Sequence, residues 1–270
     1  MSARWRSVRR EDTEIAYLDT GGDAPVLVLL HGLAGYAGEW AATVGALRSE
    51  RRVVALDLRG HGASTRRPRD VGPAAFAADV LAVLDDLGVD RAAVAGQSLG
   101  GHVAMLVAAA APERVEALVM AEAGLGGASA TETEAVTGWL ASWPAPFADR
   151  EEFVAFFGGE APAAQAWADG LAEGPGGLRP RWDADVLARA LTPVHAREHH
   201  AEWSLVEAPT LLVLGEHSTV PRRQVEAMVT ARPGTEVVTL SRTGHDVHLE
   251  APGPWAATLR DFLARTASGP

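Results

Sequence analysis

The first 120 residues alternate between short apolar runs and longer stretches with apolar residues at helical spacing. Short continuous apolar runs predict strands buried on both faces, whereas apolar positions that recur every three or four residues predict amphipathic helices. Strands that alternate with helices in this way predict a parallel sheet with helices on both of its faces. The predicted strands cover residues 14–19, 26–30, 53–57, 91–95 and 115–121, and the predicted helices cover 40–47, 73–87 and 99–111.

The pattern changes between residues 124 and 204. This segment is rich in glycine and proline, has no run typical of a buried strand and holds five of the chain's eight tryptophans. The alternation then resumes, with strands predicted over 210–214 and 236–240 and helices predicted over 221–231 and 254–265. We therefore predict a core domain over residues 1–123 and 205–270 and a mostly helical insertion over residues 124–204.

The composition limits the classes of function. The chain has 270 residues, 47% of them hydrophobic, which suits one sizeable globular domain with an insertion. Its formal net charge of −11 argues against a nucleic-acid partner, because nucleic-acid-binding domains normally present a basic surface. Lysine and cysteine are both absent, which excludes Schiff-base chemistry, a thiolate nucleophile and cysteine-ligated metals. No apolar run approaches the ~18 residues of a membrane span and none follows the basic N-terminus, so we expect a cytoplasmic protein.

A G-x-S-x-G motif over residues 96–100 carries the strongest chemical signal. It follows the strand predicted at 91–95 and opens the helix that begins at Leu99, which is the strand–turn–helix setting of a nucleophile elbow. The turn is so sharp that the neighbouring positions must lack side-chain bulk, which explains the glycines. It raises the Ser98 hydroxyl above the sheet at a helix N-terminus, where developing negative charge is stabilised. Ser98 is therefore the predicted nucleophile.

Two backbone N–H groups are needed to stabilise the oxyanion that forms when a serine attacks a carbonyl. One belongs to the residue after the nucleophile, Leu99, and the other to the loop that follows the third strand. That loop begins His31-Gly32-Leu33, directly after the run at 26–30, so Leu33 is the predicted second donor. We expect His31 to order the loop.

Ser98 also needs a base, and a histidine has a suitable pKa near neutral pH. His245 differs from the other eight histidines because it follows the last predicted strand, directly behind a glycine and ahead of the closing helix. His245 is therefore the predicted general base.

These residues resemble the α/β-hydrolase superfamily along almost the whole chain, within its serine-nucleophile branch. Besides the two motifs around Ser98 and Leu33, residues 57–64 are similar to the family's D-x-R-G-x-G-x-S loop and residues 244–252 to its G-H-x-x-H-x-E-x-P ending. The resemblance implies an α/β-hydrolase fold, with a mostly parallel eight-stranded sheet, helices on both faces and a helical cap inserted after strand 6. The loop at 57–64 is usually structural in the family, so we assign it no catalytic role.

The acid of the implied triad departs from the family's commonest pattern. Many members carry an aspartate after strand 7, but Ser218 stands there, and a hydroxyl cannot stabilise an imidazolium on His245. Glu122, at the end of strand 6, is the favoured acid, because macrolactone hydrolases and certain haloalkane dehalogenases of the family place their acid there. Glu216, two positions early, and Asp246, beside the base, are the alternatives.

A competing motif, H-x-x-E-H over residues 195–199, is typical of one class of zinc peptidase. On a continuous helix His195 and His199 share one face, and Glu198 is placed to activate a zinc-bound water. No third ligand is evident and the segment lies in the predicted cap, so this interpretation is the weaker one.

The sequence thus predicts a serine hydrolase that cleaves a carboxylic ester or lactone and needs no metal or cofactor. Acyl transfer, perhydrolysis, cofactor-free oxygen chemistry and a ligand-binding pseudoenzyme are the alternatives on the same fold. We expect a monomer or homodimer that binds a small apolar or aromatic substrate and neither nucleic acid nor membrane. Four cap tryptophans are expected to shape an apolar pocket over Ser98: Trp139, Trp143, Trp167 and Trp182.

Overall fold

The computed structural model describes residues 3–159 and 161–267. Eight strands form one sheet in the order β1-β2-β4-β3-β5-β6-β9-β10, and β7 pairs with β8 in a separate hairpin. The two pairings of β2, with β1 and with β4, are antiparallel and the other pairings in the sheet are parallel. The strands are β1 (Arg4–Arg10), β2 (Thr13–Asp19), β3 (Val26–Leu30), β4 (Arg52–Leu56), β5 (Ala92–Gln97), β6 (Val115–Ala121), β7 (Ala172–Gly174), β8 (Gly177–Arg179), β9 (Thr210–Gly215) and β10 (Glu236–Leu240).

Helices connect the parallel strands. No helix within the described ranges has the length and apolar character needed to cross a membrane. The helices are α1 (Ala41–Leu47), α2 (Pro73–Asp86), α3 (Leu99–Ala110), α4 (Ala130–Ala141), α5 (Arg150–Phe156), α6 (Pro162–Asp169), α7 (Ala184–His195), α8 (His200–Leu205), α9 (Arg222–Ala231), α10 (Val247–Glu250) and α11 (Pro252–Ala267).

The central strands are buried on both faces, which explains their continuous apolar sequences. Successive side chains of β3 point to opposite faces, so Val28 packs with α2 and α3 whereas Leu27 and Leu29 pack with α1 and α11. Each fully buried large apolar side chain contributes roughly 1.5–3 kcal/mol. The predicted mostly parallel sheet with helices on both faces is therefore confirmed. The pattern did not reveal β1, because its sequence RWRSVRR is largely exposed and lacks apolar alternation.

The segment between β6 and β9 contains α4 to α8. It adds the short hairpin of β7 and β8, which the sequence pattern did not indicate. An aromatic cluster fills its interior, including Trp143, Phe147 and Phe153. The predicted boundary at residue 204 falls within α8, whose Trp203 packs into the main core beside the sheet.

Trp255 illustrates how the closing helix α11 is held to the sheet. Its side chain is 0% exposed, packs against Trp40, and donates a 3.0 Å hydrogen bond from Nε1 to Thr43 Oγ1. We expect Trp255→Ala to lower the free energy of unfolding in urea by about 3–5 kcal/mol, because it leaves a large cavity. Trp5→Ala makes the same change at a side chain that is 54% exposed and should cost less than about 1 kcal/mol. Equal losses in the two variants would contradict this account.

Candidate active site

Ser98 occupies a strained turn between β5 and α3. Its backbone has φ +52° and ψ −118°, a conformation that costs a side-chain-bearing residue roughly 1–3 kcal/mol. The surrounding glycines are required by space, since a Cβ at Gly96 would lie 2.2 Å from the Gly100 carbonyl carbon. A Cβ at Gly100 would likewise lie 2.2 Å from the Leu30 carbonyl oxygen. The close approach of β3, β5 and α3 therefore dictates this part of the sequence.

Five adjacent parallel strands each deliver one candidate residue to the same edge of the sheet. A cavity of about 540 Å³ lies there, between the sheet and the insertion. Parallel strands present their carboxyl ends together, which is where ligands bind in α/β sheets. In the order of the sheet, the residues are Leu33 after β3, Ser98 after β5, Glu122 after β6, Thr219 after β9 and His245 after β10, and all five line the cavity.

His245 is held through its Nδ1 atom and its backbone. Nδ1 lies 2.9 Å from Thr219 Oγ1 and 3.4 Å from Glu122 Oε2, and the Gln97 side chain donates a 2.9 Å hydrogen bond to the His245 carbonyl oxygen. Because the Thr219 hydroxyl donates its single proton to the Glu122 carboxylate at 3.3 Å, Nδ1–H must be the donor to Thr219. Nε2 therefore keeps its lone pair, as a base requires.

Glu122 is a buried carboxylate with a dense set of donors. It is 2% exposed, and it accepts hydrogen bonds from the backbone N–H groups of Gly215 at 2.7 Å and Thr219 at 3.0 Å. Burial opposes its ionisation, but the hydrogen bonds from His245 and Gly215 outweigh burial and hold the pKa of Glu122 below its ordinary value. The group therefore stays charged at neutral pH.

The contact between Glu122 and His245 shifts the pKa of His245 in the opposite direction. Burial lowers the pKa of the imidazole, but the hydrogen bond with Glu122 and the nearby Asp246 charge outweigh burial and raise the pKa above its ordinary value. The ring nevertheless remains 39% exposed towards the cavity. This combination suits a group that takes up a proton during a reaction and then releases it.

The other two carboxylates that the sequence left open lie in different surroundings. Glu216 is exposed and accepts a 2.7 Å hydrogen bond from the Arg242 backbone N–H. Asp246 lines the cavity beside the base, and burial raises the pKa of its carboxyl group. Of the three candidates, Glu122 is the one in contact with His245 Nδ1.

Two buried histidines, His31 and His61, hold the loop that carries Leu33. The sequence predicted this role for His31 alone. His31 is fully buried, and its Nε2 accepts a 2.9 Å hydrogen bond from the Leu58 backbone N–H, in line with the expected ordering role. His61 Nε2 accepts from the Ala34 backbone N–H at 3.3 Å. Leu33 and Leu99 both border the cavity beside Ser98.

The structure corrects part of the tryptophan prediction. Trp139 and Trp167 line the cavity, whereas Trp143 and Trp182 are not among the residues that border it. Those two side chains are only 8% and 7% exposed and pack on each other with ring centroids 4.8 Å apart. They form the interior of the insertion because a small segment needs large side chains to build a core of its own.

The helix face assumed for the H-x-x-E-H motif does not exist, since α7 ends at His195 and α8 begins at His200. His195 bonds Thr133, whereas His199 lies 4.6 Å from His102, measured between ring centroids. Within residues 3–159 and 161–267, no group of three or more histidine or acidic side chains has the geometry of a metal site.

Thr219 and Gln97 are site residues that the sequence did not predict. Gln97 occupies the first of the two variable positions of the G-x-S-x-G motif, directly before the nucleophile, which was a usable signal for a residue near the site. Thr219 lies 97 residues from Glu122 and carried no local signal.

Two proteins of known name are similar to this chain in sequence along most of its length. The chain is 31% identical over 88% of its length to a dihydrolipoyllysine-residue acetyltransferase component of an acetoin cleaving system from Pseudomonas putida, and spans 63% of that relative. It is 28% identical over 92% of its length to the sn-1-specific diacylglycerol lipase ABHD11 of Mus musculus, and spans 83% of it.

Among solved structures, E-2-(acetamidomethylene)succinate hydrolase superposes with a TM-score of 0.88 at 22% identity, covering 97% of this chain and 100% of that one. This likeness concerns the fold. The family model described as alpha/beta hydrolase fold matches residues 25–252. The chain therefore belongs to the α/β-hydrolase fold family, as its four motifs predicted.

Proposed function

We propose that the protein hydrolyses a carboxylic ester or lactone through an acyl-enzyme on Ser98. The observation that carries this proposal is the shared cavity wall, in which a strained serine faces the same space as a histidine whose Nδ1 is bound by a buried carboxylate. A serine hydroxyl is a weak nucleophile until an adjacent oriented base removes its proton.

In the proposed reaction, Ser98 Oγ attacks the substrate carbonyl carbon while His245 Nε2 takes the hydroxyl proton. The oxyanion receives hydrogen bonds from the backbone N–H groups of Leu33 and Leu99. The intermediate collapses, and His245 returns the proton to the leaving alcohol. A water then attacks the acyl-enzyme and loses a proton to His245. As the bond between the acyl carbon and Ser98 Oγ breaks, His245 gives this proton to Ser98 Oγ, and the carboxylic acid is released.

Glu122 acts through His245. Its ionised carboxylate stabilises the imidazolium that forms when His245 takes the Ser98 proton, and with Thr219 it keeps Nδ1 protonated. This role needs a buried charge close to Nδ1, which fits Glu122 and not the exposed Glu216.

The cavity favours neutral, apolar substrates. Apolar side chains from the insertion face it, and Glu132 and Asp246 add negative charge near its wall. No arginine is among the described residues that line it, and the chain contains no lysine to pair with an anionic substrate. The apolar lining residues include Leu33, Val136, Trp139, Trp167 and Leu191.

A cytoplasmic location and a monomeric or homodimeric state remain predictions from sequence.

The relatives support this class of reaction and one variant of it. One relative is named as a diacylglycerol lipase, which fits ester hydrolysis, whereas the relative named as an acetyltransferase component suggests acyl transfer as a second candidate. Both reactions use the same acyl-enzyme and differ in whether water or another nucleophile attacks it. Product analysis with an added alcohol or thiol acceptor distinguishes them.

The nucleophile is tested by covalent labelling. We expect a fluorophosphonate to add once to the wild-type protein, giving one mass increment by intact mass spectrometry, because an activated serine beside an oxyanion hole attacks phosphorus. Ser98→Ala should remain unlabelled while keeping its circular dichroism spectrum. A folded wild-type protein that forms no adduct would exclude an assembled triad and favour a ligand-binding protein.

The acid is tested through the pH dependence of kcat/KM. Activity requires neutral His245, so in the wild type it should fall on the acidic side at a pH above the ordinary pKa of histidine. Glu122→Gln removes the charge that raises this pKa, so the acidic limb should move to lower pH while the rate drops by about 10²–10⁴-fold. Glu216→Gln is the matched control and should change neither. Full activity of Glu122→Gln would exclude Glu122 as the acid.

Thr219 is expected to position His245. We expect Thr219→Val to lower kcat by about tenfold with little change in KM, because the imidazole loses its 2.9 Å partner and keeps only the longer contact with Glu122. Thr219→Ser retains the hydroxyl and should recover most of the rate in steady-state assays. A serine variant as slow as the valine variant would indicate that the methyl group, not the hydroxyl, matters.

A further inference from the structure

His195 is a second histidine of the cavity, and the mechanism does not use it. It ends α7 in the insertion and lines the cavity together with Ser98 and His245. Most of its neighbours on this wall are apolar, since Val136, Leu191 and Val194 line the same cavity, and Glu132 is the charged side chain that acts on its pKa. Burying a polar ring among such side chains costs free energy unless its nitrogens have hydrogen-bond partners.

The contacts of His195 fix which nitrogen carries its proton. Thr133 Oγ1 lies 3.0 Å from the Ser129 carbonyl oxygen, and the only hydrogen available to that contact is the threonine hydroxyl proton. Thr133 Oγ1 must therefore accept from His195 Nδ1–H, which lies 2.8 Å away. Burial lowers the pKa of His195, so the ring is neutral at neutral pH and Nε2 carries a lone pair.

Nε2 of His195 has no hydrogen-bond partner among the described residues. It is also not buried, since the buried side-chain atoms without a partner do not include it. The Gln224 side chain on the same wall is already committed to other partners. Gln224 donates to the Gly126 carbonyl oxygen and to Glu198, and accepts from the Leu125 backbone N–H. His102 also borders the cavity, but its unpartnered Nε2 is buried.

We propose that His195 is a substrate-recognition residue whose Nε2 accepts a hydrogen bond from a hydroxyl or N–H group that the substrate carries away from its scissile carbonyl. This inference rests on the proposed ester or lactone hydrolysis and narrows its substrate class to donor-bearing, otherwise apolar molecules. A substrate without such a donor leaves Nε2 desolvated and unpaired, which is how a site built for a hydrogen bond rejects the analogue that lacks it.

The test compares kcat/KM for 4-nitrophenyl esters of phenylacetic and 3-phenylpropanoic acid and for aryl acetates. Within each set, one further position of the aromatic ring carries hydrogen, hydroxyl or methoxy, and this position differs from set to set. The methoxy group has the same oxygen without the proton. We expect the wild type to prefer the hydroxyl compound by at least about tenfold at one ring position. His195→Phe, which keeps an aromatic ring but has no acceptor to pair or to leave unpaired, should abolish this preference by lowering kcat/KM for the hydroxyl compound relative to the unsubstituted and methoxy esters.

A pair of isosteric variants on α4 separates recognition from folding. Thr133→Val removes the acceptor that keeps the proton on Nδ1, so it should also reduce the hydroxyl preference. Thr137→Val is the matched control and should leave the preference unchanged, because the partners of Thr137 Oγ1 among the described residues are the carbonyl oxygens of Thr133 and Glu134.

Failure of this inference is distinguishable from failure of the proposed function. The inference is overturned if the wild type hydrolyses the esters without any hydroxyl preference, or if the preference survives in His195→Phe. If no ester is hydrolysed, the proposed function fails instead. The same compounds are then compared by binding to Ser98→Ala, followed through the fluorescence of Trp139 and Trp167, which line the cavity. Equal dissociation constants for hydroxyl and methoxy compounds would again overturn the inference.

Discussion

The buried Glu122 carboxylate is the point at which three separate parts of the chain meet. It lies directly after β6, accepts from the backbone at the end of β9 and from the following loop at Thr219, and contacts His245 after β10. A charge buried this deeply is stable only when its oxygens are fully hydrogen-bonded, so the loops around it have little freedom to move. The orientation of His245 follows from that requirement.

Ser98 obeys a different constraint, which is space. The left-handed turn between β5 and α3 exists because β3 and α3 come so close that Gly96 and Gly100 have no room for a Cβ. Strain of this kind persists when the surrounding packing leaves no alternative. The buried, apolar strands on either side provide that packing, which links the hydrophobic pattern of the sequence to the position of one hydroxyl.

The insertion divides its aromatic side chains between two tasks. Trp143 and Trp182 build its interior, whereas Trp139 and Trp167 face the cavity. Both sets look alike in sequence. Trp139 and Trp167 lie on helices whereas Trp143 and Trp182 lie in the connections between elements, and no local pattern indicates which of these side chains turns inward. The segment around His195 shows the same limit, since a break between α7 and α8 sends its two histidines to different neighbours.

The amino-acid sequence alone predicts the class of fold, the positions of the central strands, and Ser98 and His245 as candidates, because each depends on local signals: apolar runs, a glycine-bounded turn and a histidine behind a strand. It left three carboxylates open and gave no sign of Thr219. The contact between Glu122 and His245 emerges in the folded protein, since residues 122, 219 and 245 come together only when β6, β9 and β10 pair side by side. Contacts between distant parts of a chain depend on strand order and register, which no local pattern encodes.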